Sequence, residues 1–343
     1  MLMPFVDRPG ASIWVSLTLL ASVVATVQVG DRLDLFAQPV LTGSDKSMEQ
    51  YESFRAHVER DGHHDLVVLG NSIARQSLDI QQLQRELEPA LGRRLVGYNF
   101  GAGGTPPNAL DVVAGLVYGI DDPEICVIVM TARMLAAWDD QMTDRGGLMH
   151  TSPYGQAILD PIAWRGAIQR WLLDNVALAR MRYGVREVVS GDPPARRTRG
   201  GYDSALGYLA TRKGTATEES WERVRERLAN APFDLKGRPE FLLEQIRGIQ
   251  AKGAEVWLVE GALHPRRLVA LPDPSRNLAD ARRMLRQIAD ATGARALLIP
   301  PDLRFSQSDF GDTSHLDPEA AARYSSWVAA ELAQDLSALR RAR

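Results

Sequence analysis

Asp65-Leu-Val-Val-Leu-Gly-Asn-Ser-Ile-Ala-Arg75 decides the fold. Leu66 to Leu69 is a continuous apolar run, the length of a buried parallel strand. Gly70 breaks it, and Asn71 and Ser72 follow at once. Beyond Asp79, a natural N-cap, Ile80, Leu83, Leu87 and Leu91 recur at helical spacing. Ser72 is therefore expected at a strand-to-helix turn, on the carboxyl edge where open α/β sheets hold their ligands. Two readings of it stand: a serine that caps a helix, or a hydroxyl placed among free backbone N–H groups for chemistry.

Outward from this stretch the chain alternates strand and helix. Strands are expected at Leu66–Leu69, Leu95–Phe100, Ile125–Met130, Val256–Val259 and Ala296–Ile299. Helical patterns fall at Asp79–Leu91, Asn108–Val117, Phe241–Lys252, Leu278–Thr292 and from about Pro318 to Leu339. The rhythm predicts an α/β protein, a three-layer α/β/α sandwich on a five-stranded parallel sheet of flavodoxin-like order. Between 131 and 238 the rhythm stops, and that stretch is expected as a helical insertion over the carboxyl edge of the sheet. Its Arg196, Arg197 and Arg199 suit either an anionic polymer or a solvated loop.

The other end of the chain has its own signal. Ser12 to Val29 is uncharged and long enough for a minimal membrane span. Residues 1–30 are expected as an N-terminal transmembrane anchor, with a cleaved signal peptide as the rival, and the remainder exported. Residues 31–64 read as a polar spacer with a helix from Ser47 to Arg60, and 65–343 as the globular domain. His63-His64 reads as loop, because adjacent side chains point to different sides. The formal net charge of −3 gives no basic footprint for nucleic acid. A single cysteine, Cys126, excludes an intramolecular disulfide. No metal or cofactor is expected; Gly101-Ala-Gly-Gly104 lacks the Lys-Ser/Thr of a phosphate-binding loop.

Three segments are expected to converge on the carboxyl edge: Gly70-Asn71-Ser72, the run Tyr98 to Pro107 with its glycines, and Phe310 to Glu319. A serine hydroxyl needs a base to take its proton, and His315 suits that task. Asp312, three residues earlier, suits the holding of the imidazole in one tautomer. The N–H groups of Ser72 and of Gly103 or Gly104 suit the charge of a tetrahedral intermediate. Asn71, Arg75, Asn99 and His264 are candidates for lining the substrate site, Arg75 and Asn99 with purely structural alternatives.

Gly-Asn-Ser after strand one, a glycine block after strand two and Asp-x-x-His before the last helix together resemble the SGNH/GDSL hydrolase family. The anchor, "GNSxxR", "YNFGAGG" and "DTSHLDPEAA" are similar to its membrane-attached branch, which includes proteins of alginate O-acetylation and lipoteichoic-acid D-alanylation. The resemblance implies Ser72 as nucleophile, His315 as base, Asp312 as its orienting acid and Gly103 or Gly104 as oxyanion donor. It implies an acylated carbohydrate or polysaccharide as substrate, with a membrane acyltransferase as a possible partner. The sequence departs from the pattern in two places. Asn71 stands where the family has aspartate, and Met130-Thr131-Ala132-Arg133 stands where it has an asparagine block, so either Thr131 or Arg133 replaces that oxyanion donor or the donor is absent. The expected function is an acyl esterase or O-acyltransferase of the cell envelope; the alternative is a non-catalytic glycan-binding or assembly factor.

Overall fold

The computed structural model describes residues 16–26, 46–102, 110–135, 168, 171–172, 206–208, 211, 214, 216–230, 239–271 and 273–342. The chain divides into two compact units, one from Met1–Asp45 with Pro153–Thr198, the other from Lys46–Ser152 with Arg199–Arg343. In the first unit residues 16–26 are helical. Among the described residues no helix is long and apolar enough to cross a membrane. The ends of the uncharged run Ser12–Val29 lie outside the described residues.

The second unit is built on a five-stranded, all-parallel sheet: β1 (Leu66–Gly70), β2 (Gly97–Gly101), β3 (Ile125–Met130), β4 (Glu255–Glu260) and β5 (Arg295–Leu297). Their order in the sheet is β2-β1-β3-β4-β5. The direction of winding reverses between β1 and β3, so the switch point lies at the end of β1. The helices are α1 (Lys46–Asp61), α2 (Ser72–Ser77), α3 (Ile80–Leu91), α4 (Leu110–Val117), α5 (Ala132–Leu135), α6 (Glu218–Asn230), α7 (Pro239–Gln250), α8 (Pro265–Val269), α9 (Pro274–Thr292) and α10 (Pro318–Ala342).

The apolar strands are buried on both sides, as parallel strands are. Leu66, Val68, Ile125, Val127, Val129, Trp257 and Val259 form one core with Leu83 and Leu87 of α3 and Tyr324, Val328 and Leu332 of α10. The alternate residues Val67, Leu69, Cys126, Ile128 and Leu258 are just as buried. Helices α4, α7 and α9 also pack on the sheet. Each fully buried Leu, Ile or Val contributes about 1.5–3 kcal/mol relative to an exposed one. Asp79 caps α3 as its position predicts, accepting from the N–H groups of Gln81 and Gln82. The fifth strand is shorter than the apolar run Ala296–Ile299 suggests: the Ile299 N–H goes to a Glu260 carboxylate oxygen, not to a neighbouring strand.

Two sequence expectations change. The helix expected at Ser47–Arg60 is present, but it belongs to the sheet domain and is not a spacer. Phe54 of α1 is fully buried, with its ring 5.0 Å from that of Tyr98 and 5.6 Å from that of Phe100. The Gln50 amide donates to the carbonyls of Gly101 and Gly207. His63 and His64 do not diverge either. Both Nδ1 atoms bond Asp121, at 2.9 and 2.7 Å, and tie the start of β1 to the end of α4.

The insertion is described only in part. At Leu206–Gly207 it returns to the free edge of β2, where the Leu206 carbonyl accepts from Asn99 N–H. A Cβ on Gly207 would lie 2.0 Å from the Asn99 carbonyl oxygen, so only glycine fits this approach. Further on, Trp221, Val224 and Leu228 of α6 form a small core with Leu271.

Candidate active site

The site begins with a tight turn at the end of β1. Gly70 has φ +145, and a Cβ there would meet the Ala74 side chain at 2.8 Å. Asn71 follows as N-cap of α2, its Oδ1 accepting from Ile73 N–H. Ser72 is the first residue of the helix. Its N–H, like that of any first helical residue, has no intrahelical acceptor. Helix α2 is pressed onto β2: a Cβ on Gly101 would lie 2.5 Å from the Arg75 nitrogen.

The partner loop precedes α10. Phe310 and Leu316 pair as an isolated antiparallel bridge, and Gly311 N–H donates to the His315 carbonyl. Below the bridge, Asp317 N–H donates to the Asp309 carbonyl, and the Asp317 carboxylate accepts from Ala320 N–H at the start of α10. Within the loop, Oδ1 of Asp312 accepts from the backbone N–H groups of Ser314 and His315. Arg267 of α8 clamps the loop from outside, its Nε donating to the Thr313 carbonyl at 2.7 Å.

These two segments bring Ser72, His315 and Asp312 into one chain of hydrogen bonds. His315 Nδ1 lies 2.7 Å from Asp312 Oδ2, and His315 Nε2 lies 2.9 Å from Ser72 Oγ. Burial opposes the charge on Asp312. The hydrogen bond and charge of His315, with the two backbone N–H groups, outweigh it and hold the carboxyl below its usual range. An ionised Asp312 accepts, so Nδ1 carries the imidazole proton. Nε2 is then the bare nitrogen, and the Ser72 hydroxyl donates to it. A hydrogen-bond chain of this kind can take the proton of a serine hydroxyl and leave the oxygen free to attack.

The remaining candidates divide. Asn71 is used by the turn and Asn99 by the scaffold. Asn99 is fully buried; its Nδ2 donates to the carbonyls of Ala74 and Leu78, and its Oδ1 accepts from Gly101 N–H. It locks α2 to β2 in place of lining a pocket, because every polar group it carries already has a partner in the fold. Arg75 is buried on α2, one turn after Ser72. Thr131 is buried at the end of β3, where its Oγ1 accepts from Met134 N–H at the start of α5. Arg133 lies in α5, and its side chain is outside the described residues, as are Gly103 and Gly104.

His264 is a packing residue in place of a pocket wall. Its ring is buried between Trp221, at 4.4 Å, and Phe310, at 4.6 Å. Its Nδ1 accepts from Arg266 N–H and caps α8. Burial, with the cations of Arg267 and Arg266, pushes its pKa down to about 4 against the pull of Asp312, so it is neutral at pH 7. A cavity of about 430 Å³ opens beside it, between α6, α8 and Gln307, with Trp221, Arg225, Arg266 and Val269 among its walls; none of the three triad residues lines it. Among the described residues no group of His, Cys, Asp and Glu side chains is placed to hold a metal. Arg267 was not legible in the sequence, because its partner is a backbone carbonyl, which every residue carries.

No family model and none of the curated proteins matches this chain.

Proposed function

We propose that the protein is a membrane-anchored serine acyl esterase or O-acyltransferase of SGNH type, acting on acylated cell-envelope or exported polysaccharide. The observation that carries the reading is the continuous chain Ser72 Oγ, His315 Nε2, His315 Nδ1, Asp312 Oδ2. The 2-1-3-4-5 strand order, with Ser72 at the switch point, supports the SGNH class. The uncharged run Ser12–Val29 supports an anchor, with the sheet domain exported.

In the reaction, Ser72 Oγ attacks the ester carbonyl carbon as its proton passes to His315 Nε2. The Ser72 N–H donates to the oxyanion. Collapse of the tetrahedral intermediate breaks the bond to the leaving oxygen, which takes the proton from His315, and leaves an acyl-Ser72. A water or a sugar hydroxyl then gives its proton to His315 and attacks the acyl carbon. Ser72 leaves with that proton, and the acid or the new ester departs. Asp312 stays ionised throughout and stabilises the imidazolium.

The test is turnover of an aryl acetate by the full chain, with and without an oligosaccharide acceptor. The reading predicts release that Ser72→Ala abolishes, and acyl transfer to the acceptor if transfer outruns hydrolysis. A folded chain with no serine-dependent release overturns it. That outcome favours the second reading, a non-catalytic glycan-binding factor, which is supported by Thr131 capping α5 where the family has its oxyanion asparagine.

A further inference from the structure

The two compact units carry their apolar surface very differently. Among the described residues the large exposed hydrophobic side chains are Leu17, Leu19, Leu20, Val23, Ile168, Trp171, Leu172 and Val269. All but Val269 belong to the first unit, which joins the N-terminal segment to Pro153–Thr198 of the insertion. Ile168, Trp171 and Leu172 are helical and stand at i, i+3 and i+4, so they share one face. Trp171 is 60% exposed, too open for a core tryptophan. A contiguous apolar face of this kind on a soluble surface marks an interaction site.

The sequence around that face identifies the partner. Pro153–Thr198 holds seven arginines, no lysine and only four acidic residues, Asp160, Asp174, Glu187 and Asp192, in a chain whose net charge is −3. An apolar helix face with a tryptophan and an excess of arginine is the composition of a segment lying in the headgroup region of an anionic bilayer. The same unit contains the uncharged run Ser12–Val29. We propose that the inserted segment is a second membrane contact, seated on anionic lipid through Ile168, Trp171 and Leu172. The proposal rests on and extends the anchored reading given above. Its consequence for the enzyme is that the first unit meets the bilayer at two places along the chain, which restricts rotation about a single anchor.

The experiment uses the full chain with an environment-sensitive fluorophore on a single introduced cysteine. Cys126 is fully buried, and burial pushes its thiol up to about 12, so it does not compete for the label. Leu172→Cys reports the inserted face, Leu20→Cys the N-terminal run, and Glu222→Cys, exposed on α6, serves as the reference. Vesicles of phosphatidylcholine with phosphatidylglycerol, some carrying a nitroxide lipid, are then added. The proposal predicts a blue shift and nitroxide quenching at position 172 and none at position 222, with quenching at 172 weakened when phosphatidylglycerol is left out. Quenching at 20 but not at 172 overturns the proposal and leaves the anchor standing. Quenching at 172 but not at 20 supports the proposal and removes the anchor. Absence at both positions overturns both. Shielding at 172 that grows with protein concentration before any vesicle is added identifies a second copy as the partner, and also overturns it.

Discussion

Arg267 on α8 donates a 2.7 Å hydrogen bond to the carbonyl of Thr313, which stands between Asp312 and Ser314 in the loop that carries His315, the proposed base. A charge-assisted bond of this kind is worth about 1.5–3 kcal/mol. It holds a loop whose displacement by an ångström would separate His315 from Ser72. Arg267→Met is predicted to lower kcat roughly 10- to 100-fold with little change in KM, and Arg267→Lys to recover part of the loss. Steady-state kinetics of the three proteins check this; a change confined to KM would argue that Arg267 binds substrate instead.

Asp312 sets the tautomer of His315. Asp312→Asn presents an amide that can donate to Nδ1 and so favours the proton on Nε2, where it blocks the acceptance of the Ser72 proton. The expected loss in kcat is roughly 10³–10⁴-fold, with the fold retained. The carboxyl also links stability to pH. Its folded-state pKa lies below the unfolded value of about 3.9, so its contribution is complete above that value and is lost as the pH falls through the lower folded value. Urea unfolding followed by circular dichroism across the acid range should show wild type losing, below about pH 4, an increment of stability that Asp312→Asn does not lose.

His264 works in the opposite sense. Its pKa in the fold is pushed down to about 4, against about 6.5 when unfolded. Between those values the unfolded chain binds the extra proton, so stability falls as the pH drops below 6.5 and the loss levels off near 4. The effect is on the order of 2 kcal/mol at pH 5. Asn is also a good N-cap, so His264→Asn keeps an acceptor for the Arg266 N–H and removes the titration. Urea unfolding at pH 7 and pH 5 should show a smaller pH effect in the variant.

Most of the sheet was legible because its strands are short apolar runs between turn residues, a pattern that period and length alone identify. Asp312 and His315 were legible from their spacing on one loop before a capped helix. The role of α1 was not, since the sequence around it is polar and, among the described residues, the face it buries, Gln50, Tyr51, Phe54 and His57, is half polar. Nor were the roles of Asn99 and His264, because sequence places a polar residue at the active edge without showing which backbone groups it will satisfy.

Asn99 shows what that satisfaction is worth. Replacing it with Leu keeps the approximate volume, strands the buried Leu78 carbonyl and takes the side-chain acceptor from Gly101 N–H; the Ala74 carbonyl keeps the Leu78 N–H. Each unsatisfied group costs about 1–3 kcal/mol. Because α2 carries Ser72, activity should fall along with stability. Denaturant midpoints and aryl acetate turnover measured on the same preparation check this; unchanged stability would mean that α2 is held by its other contacts.

The proposed function stands on the activation of Ser72 by His315. The most direct measurement is the intact mass of the full chain after exposure to a fluorophosphonate, with Ser72→Ala and His315→Ala alongside. A single adduct is expected, located on Ser72, absent from Ser72→Ala and lost or greatly slowed in His315→Ala. A folded wild-type chain that remains unmodified, or an adduct that persists in Ser72→Ala, would contradict it.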